Sequence, residues 1–103
     1  MLIRGFQCSF DILLEGFTLP PTARLKAVFA LAADAAPICV LTSEDGTITL
    51  EEPNRLRFHF SPTVSASMPQ SVVRFDFMRT DTTPAQHLGW EGFVQFASTL
   101  ARP

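Results

Sequence analysis

The residues of this chain that could do chemistry are few, and their spacing does not bring them together. His59 and His87 stand apart, and neither a Cys-x-x-Cys nor a His-x-x-x-His spacing occurs anywhere in the sequence. A zinc site needs three or four ligands that converge, usually at such clustered spacings. We therefore expect no metal and no cofactor.

Acid–base and nucleophilic catalysis find equally little support. His59 could in principle combine with Asp76 and a serine, but the chain lacks the Gly-x-Ser-x-Gly elbow that presents a nucleophile. Glu51 and Glu52 are adjacent within a turn signal, so their side chains should point apart instead of sharing a proton. We expect a protein that is not an enzyme and has no catalytic residues.

The two cysteines, Cys8 and Cys39, are expected to be reduced thiols. Cys8 has the same parity as Phe10, Ile12 and Leu14, which favours a small buried hydrophobe over a disulfide partner or a reactive thiol. The opening residues contain no charged segment followed by a long apolar one. The expectation is a soluble protein with no visible export signal, in which disulfides are not required.

Length and charge limit the architecture and the partners. A chain of 103 residues predicts one domain, over residues 1–103. The net charge of −2 and dispersed Lys and Arg argue against nucleic acid as a partner, and no apolar run is long enough to span a bilayer. Only 17% of the residues are charged, and so low a fraction is compatible with apolar surface that another subunit covers.

Among the elements that must position these residues, the clearest signal is a long β-hairpin over Ser71 to Phe96. Apolar residues alternate with polar ones on both arms, and the polar connection 80–86 separates the arms. Further strands are expected over 7–15, 24–31, 37–42, 47–50 and 55–60, of which the last two form a second hairpin. Ala27 to Ala36 would also accept a helix, but the period of two in its neighbours favours a strand. Ser61 to Pro69 reads as a crossover loop with one short helical turn.

These elements predict an all-β fold, a single antiparallel β-sandwich that is immunoglobulin-like or related, with about seven short strands; the alternative is a small barrel. We expect one core between two sheets, formed by Phe58, Phe60, Phe75, Phe77, Val94 and Phe96.

Aromatic residues outside that core are the candidate site. Trp90 shares the apolar parity of its strand, which favours a core position; the alternative is a stacking platform for a sugar or small ligand, with Phe93 beside it. Ten Phe, one Trp and no Tyr favour dry packing over sugar recognition. The glycines at 89 and 92 indicate a bulge or a close backbone approach.

An interface with a second subunit is the main expectation for the surface. Phe93 lies on the wet parity of its strand, beside Glu91 and Gln95, and Phe17 lies in the Gly16 to Pro21 corner, where burial within the domain is hard to achieve. We therefore expect a homo-oligomer. The alternatives are that Phe93 covers a bulge at Gly92, or that the N-terminal arm, Leu2 to Phe6, folds over it.

Over residues 44–103 the chain resembles small proteins that tailed phages and prophages encode in their structural gene clusters. The resemblance is carried by Gly46-Thr47-Ile48-Thr49-Leu50, Arg55-Leu56-Arg57-Phe58-His59-Phe60-Ser61, Phe75-Asp76-Phe77 and Gly92-Phe93-Val94-Gln95-Phe96. Trp90 and the ending Ala101-Arg102-Pro103 depart from that pattern. The resemblance implies an immunoglobulin-like β-sandwich and a non-enzymatic structural or assembly module, associated with a tail or baseplate.

The same resemblance implies the partners and the location. The partners would be further copies of this chain or other virion proteins, in the bacterial host cytoplasm or in the virion. The competing interpretation is a small ligand- or carbohydrate-binding β-sandwich module, with Trp90 and Phe93 as the contact residues.

Overall fold

A computed structural model describes residues 2–14, 16, 18–32, 34–82, 84 and 86–98, and for residues 86 and 88–91 it describes only the backbone. Within these residues, eight strands and one helix follow each other. They are β1 (Leu2–Ile3), β2 (Cys8–Leu13), β3 (Leu25–Ala30), β4 (Cys39–Thr42), β5 (Ile48–Glu52), β6 (Arg55–Phe60), α1 (Pro62–Ser67), β7 (Val72–Arg79) and β8 (Gln86–Ala97).

The strands form two sheets, with the order β1-β8-β7-β3-β4 in the larger and β2-β6-β5 in the smaller. The predicted all-β sandwich is therefore confirmed. One pairing differs from the antiparallel expectation, because β1 lies parallel to β8. A strand of two residues has too short an alternation to be seen in a sequence.

Both predicted hairpins are present. In the first, β7 and β8 are antiparallel, with Val73 opposite Val94 and Phe75 opposite Gly92. The register shifts between the Asp76 and Met78 positions of β7. The irregularity therefore lies N-terminal to residue 91 of β8, and Gly92 itself pairs regularly with Phe75.

The ambiguous alanine-rich segment starts as a strand. Leu25, Ala27 and Phe29 of β3 are buried, while Lys26 between them is exposed. β3 lies between β4 and β7, and this pairing on both sides outweighs the helix propensity of alanine. Tertiary pairing thus decided what local propensity left open.

The Asp45-Gly46 turn joins two strands that do not pair with each other. β4 belongs to the larger sheet and β5 to the smaller one, so the chain changes sheets here. Gly46 has a φ of 83°, a conformation that suits glycine. The Asp45 carboxylate accepts hydrogen bonds from the backbone N–H and the hydroxyl of Thr47, at 2.9 and 2.6 Å.

Helix α1 is the predicted helical turn. Ser61 caps it by accepting a hydrogen bond from the Val64 backbone N–H at 3.2 Å, and Pro62 occupies the first turn, where no intrahelical N–H bond is lost. The buried hydroxyl of Ser65 donates to the Ile3 carbonyl at 3.1 Å and accepts from the Gly5 N–H at 2.9 Å. The helix thereby fixes the N-terminal arm.

The core between the sheets is built of phenylalanine rings. Of the six predicted core residues, five are buried, and Val94 is partly buried against them. Phe10 and Phe29 join the same cluster, and Phe29 stacks on Phe75 with ring centroids 5.0 Å apart. The described inward side chains of both sheets are occupied by this packing, so we look for a binding site on an outer face or at an edge.

Candidate binding surface

The outer face of the larger sheet carries more apolar side chains than a solvated face needs. Outward parity on β3, β7 and β8 places Ala30, Arg74 and Phe93 in one row across the sheet, by direct pairing. Val72 and Val40 are exposed on this same face, at 47% and 42% of their surface. We call this surface, formed by Val28, Ala30, Val40, Val72, Arg74 and Phe93, the outer patch.

Phe93 is the most exposed large apolar side chain among the described residues, with 63% of its surface accessible. The N-terminal arm does not cover it, because β1 pairs only with Phe96 and Ala97. The guanidinium carbon of Arg74 lies 5.8 Å from the Phe93 ring centroid. This cation–π contact orients the ring and leaves most of its surface exposed.

A shallow hollow of about 150 Å³ lies on the β3 side of the outer patch. Ala32, Ala35 and Pro37 from the chain after β3 form its rim, and Asp76 and Arg74 bring charge to its floor. Nearby, Asp76 also faces His87, with Oδ2 and Nε2 3.4 Å apart. The outer patch is thus apolar with Arg74 as its basic centre, and the hollow beside it adds the acidic Asp76. This composition suits a protein surface better than a small charged substrate.

A second opening lies at the side of the sandwich, between β2 and β8. This side cleft has a volume of about 370 Å³ and is lined by Phe10, Asp11, Ile12, Leu13, Phe75, Gly92 and Phe93. Leu13 is 56% exposed at its rim. Because Gly92 has no side chain on the inward side of β8, the rings of Phe10 and Phe75 are left to form the floor.

The outer face of the smaller sheet is different, because its charges neutralise each other. Arg57 donates to both carboxylate oxygens of Asp11, at 2.7 and 3.2 Å, and lies 3.3 Å from Glu51. The hydrogen bond from Arg57 lowers the pKa of Asp11. Such exposed pairs contribute little stability, and we interpret this face as a solvated surface.

The catalytic combination considered from sequence is not assembled. His59 lies on the outer face of the smaller sheet, where its Nε2 is 2.9 Å from the Thr49 hydroxyl. Asp76 lies on the outer face of the larger sheet, with the Phe core between them. Glu51 faces Arg57 and Glu52 faces Arg55, at 3.3 and 3.0 Å, so the two carboxylates do point apart.

Both cysteines are free thiols. Burial raises the pKa of Cys39 to about 11 and raises that of Cys8 as well, with a hydrogen bond to Ser65 opposing the second shift. Both groups are therefore protonated near neutral pH and poor nucleophiles. Among the described residues no group of three or more His, Cys, Asp and Glu could hold a metal ion, and no helix there could cross a membrane.

Two of the predicted interface residues, Phe93 and Gln95, are exposed on the outward side of β8. Glu91 pairs with Asp76 in the ladder, but its side chain and that of Trp90 lie outside the described residues, as does Phe17. The interface itself, and the alternative ligand contact through Trp90 and Phe93, stay predictions. The sequence did not predict the side cleft, because the proximity of β2 to β8 depends on the strand order and no local sequence pattern indicates it.

Known proteins bear on the fold of this chain. No protein-family model and no curated protein matches this chain. Among solved structures the chain is similar to the crystal structure of a putative glycoside hydrolase from Bacteroides vulgatus ATCC 8482, with a TM-score of 0.53 and 11% sequence identity. The match covers 95% of this chain and 16% of that chain. At this identity the similarity concerns the fold alone, and this chain spans about a sixth of the length of that protein.

Proposed function

We propose that this chain is a non-enzymatic structural or assembly module that binds a second copy of itself through the outer patch. The observation that carries this proposal is Phe93, which stands 63% exposed on the solvent side of a sheet whose described inward side chains pack against the core. A sheet face that contacts only water carries mostly polar residues. Here the row beside Phe93 continues with Arg74 and Ala30.

The chemistry of the patch supports contact with protein. Aromatic residues and arginine are the types enriched at the centres of protein interfaces, and Phe93 and Arg74 form such a pair. Val72 and Val40 extend the apolar area on either side of it. A second copy would cover side chains that water now covers, which is favourable in proportion to the apolar area removed.

The biological setting is part of the same proposal. The resemblance of residues 44–103 to phage and prophage structural proteins favours a role in a virion or its assembly, at a tail or baseplate, in the host cytoplasm or the particle. Such a role requires a rigid module with an adhesive surface and no reaction. The Phe-rich core provides the rigidity, and the outer patch provides the surface.

Light scattering on a dilution series tests self-association. The wild-type chain is expected to be a dimer or larger at micromolar concentration, and Phe93→Glu is expected to be a monomer with an unchanged far-UV spectrum. Leu13→Glu is the matched control, since it adds the same charge at a similarly exposed apolar residue of the other sheet and should leave the association unchanged. A wild-type chain that stays monomeric at millimolar concentration would remove self-association, and equal effects of both variants would remove the outer patch.

A carbohydrate- or small-ligand-binding module is the second candidate. The observation in its favour is the exposed ring of Phe93 at the rim of a cleft of about 370 Å³, an arrangement on which a sugar could stack. Against it, most of the residues that line the cleft are apolar, and Asp11 already accepts two hydrogen bonds from Arg57. Titration with a panel of oligosaccharides, followed through chemical shifts of Phe93 and its neighbours, distinguishes this candidate from self-association.

A further inference from the structure

The edge of β8 beside the side cleft has backbone groups that no described strand uses. β1 pairs with β8 only at Phe96 and Ala97. The Phe96 N–H donates to the Ser71 carbonyl of the β7 side at 3.0 Å. Since the peptide groups of alternate residues in an antiparallel ladder point to opposite sides, those of Glu91 and Phe93 point away from β7, toward the cleft.

The strand on the other side of the cleft is an edge as well. The His59 N–H donates to the Thr47 carbonyl at 2.8 Å, so alternate residues of β6, including Phe58, turn their peptide groups toward β2. Phe58 pairs with Phe10, which leaves the peptide groups of Asp11 and Leu13 directed to the outer side of β2. Two strand edges therefore flank one apolar cleft.

We propose that the β8 edge from Glu91 to Gln95 binds an extended segment of a second protein chain, which adds to the larger sheet as a strand. This inference rests on the proposed role as a protein-binding module, but it uses backbone groups at an edge, whereas the outer patch uses side chains on a face. β1 lies on this same side of β8, beside Phe96 and Ala97, directly after the window. An added strand would continue the line that β1 begins.

The lining of the cleft defines the chemistry of that segment. Leu2 pairs with Phe96 and packs against the core, so alternate positions of a strand in line with β1 point inward, including the position beside Gly92. Phe10 and Phe75 form the floor there, and an inward residue must therefore be apolar. The segment is extended, apolar at every second residue and polar between.

The edge also lacks the usual protection against such pairing. Natural edge strands are guarded by charged side chains, Pro or a bulge. Within residues 91–95 only Glu91, at the end of the window, is charged, and none is Pro. The register shift on the other side of Glu91 marks where regular pairing stops. A second copy that paired through its own β8 is the less favoured occupant. That strand is longer than the window from Glu91 to Gln95 and would run into β1 of the first copy.

The test joins a probe strand directly to the chain. The six-residue extension Thr-Val-Thr-Val-Thr-Val is placed before Met1, in line with β1, so that its valines fall on the inward side at high effective concentration. Amide hydrogen exchange at Phe93, measured by NMR, should slow at least tenfold, because its N–H becomes bonded. The control extension, Thr-Pro-Thr-Pro-Thr-Pro, cannot donate from its proline positions and should leave that exchange rate unchanged.

The design separates this inference from self-association. Both extended chains carry the same outer patch, so association through the patch affects both equally, and only strand addition distinguishes them. The same exchange rate at Phe93 in both chains would overturn the inference while leaving the outer patch untouched. Concentration-dependent protection of the residue-93 amide in a Phe93→Ala chain without extension would overturn the choice of partner, because a second copy would then occupy the edge even without the ring.

Discussion

Two phenylalanine truncations, one inside the core and one on the surface, test whether the inward face of each sheet has been correctly identified. Phe58 is 0% exposed, and its ring lies 5.3 to 6.0 Å from those of Phe10, Phe29, Phe75 and Phe77. Phe93 is 63% exposed. The same substitution, Phe to Ala, therefore removes the same atoms from two opposite environments.

Phe58→Ala should lower the free energy of unfolding by about 3 to 5 kcal/mol, the range for a buried ring that leaves a cavity. The upper half of that range is expected, since four edge-to-face contacts are lost together. Phe93→Ala removes exposed surface and one cation–π contact, and should cost under about 1 kcal/mol. In a monomeric sample the difference between the variants is thus several kcal/mol.

Urea titration at a protein concentration below the association range provides the measurement. Both variants should keep the wild-type dependence on denaturant, and Phe58→Ala alone should shift the midpoint strongly. Thermal melting should show the same order, with a fall of at least about 12 °C for Phe58→Ala. Equal losses in the two variants, or a loss under about 1 kcal/mol for Phe58→Ala, would refute the assignment of the inner faces.

Three further perturbations address the cap, the charges and the thiols. Ser61→Ala should lower stability by about 1 kcal/mol in urea titration, because the Val64 N–H loses its partner; no loss would show that the cap is unimportant. The hydrogen bond from Arg79 lowers the pKa of Asp81 to about 2, so its stabilisation is present above the unfolded pKa of about 4 and is lost as the pH falls toward 2. Asp81→Asn should therefore be less stable than wild type at pH 7 and equal to it below pH 2, and a gap that persists in acid would contradict this. Cys39, with its pKa raised to about 11, should react with a thiol reagent at pH 8 far more slowly than a free cysteine, and melting should not change with reductant or chelator.

Much of this fold was readable from the sequence, for a definite physical reason. A strand between a core and solvent must alternate, and the alternation over Arg55–Phe60 and over residues 73–77 matches the burial pattern of β6 and β7. The outward position of Phe93 follows from the same parity. Local pattern therefore predicted which face each side chain occupies.

What the sequence did not reveal depends on contacts between distant segments. The Asp45-Gly46 turn looks the same whether the flanking strands pair or change sheets, and here they change sheets. Met68 and Leu19 are buried although each lies outside a strand, so no period marks them. The side cleft arises because β2 and β8 are edges on the same side of the sandwich, a consequence of strand order alone.

The central claim is that the outer patch is the surface through which this chain binds a second copy of itself. Assigned NMR spectra recorded over a concentration series test it most directly. The claim predicts concentration-dependent shifts confined to the outer patch, strongest at Phe93, Val72 and Arg74. Shifts centred instead on Asp11 and Arg57 of the smaller sheet, or spectra that do not change up to millimolar concentration, would contradict it.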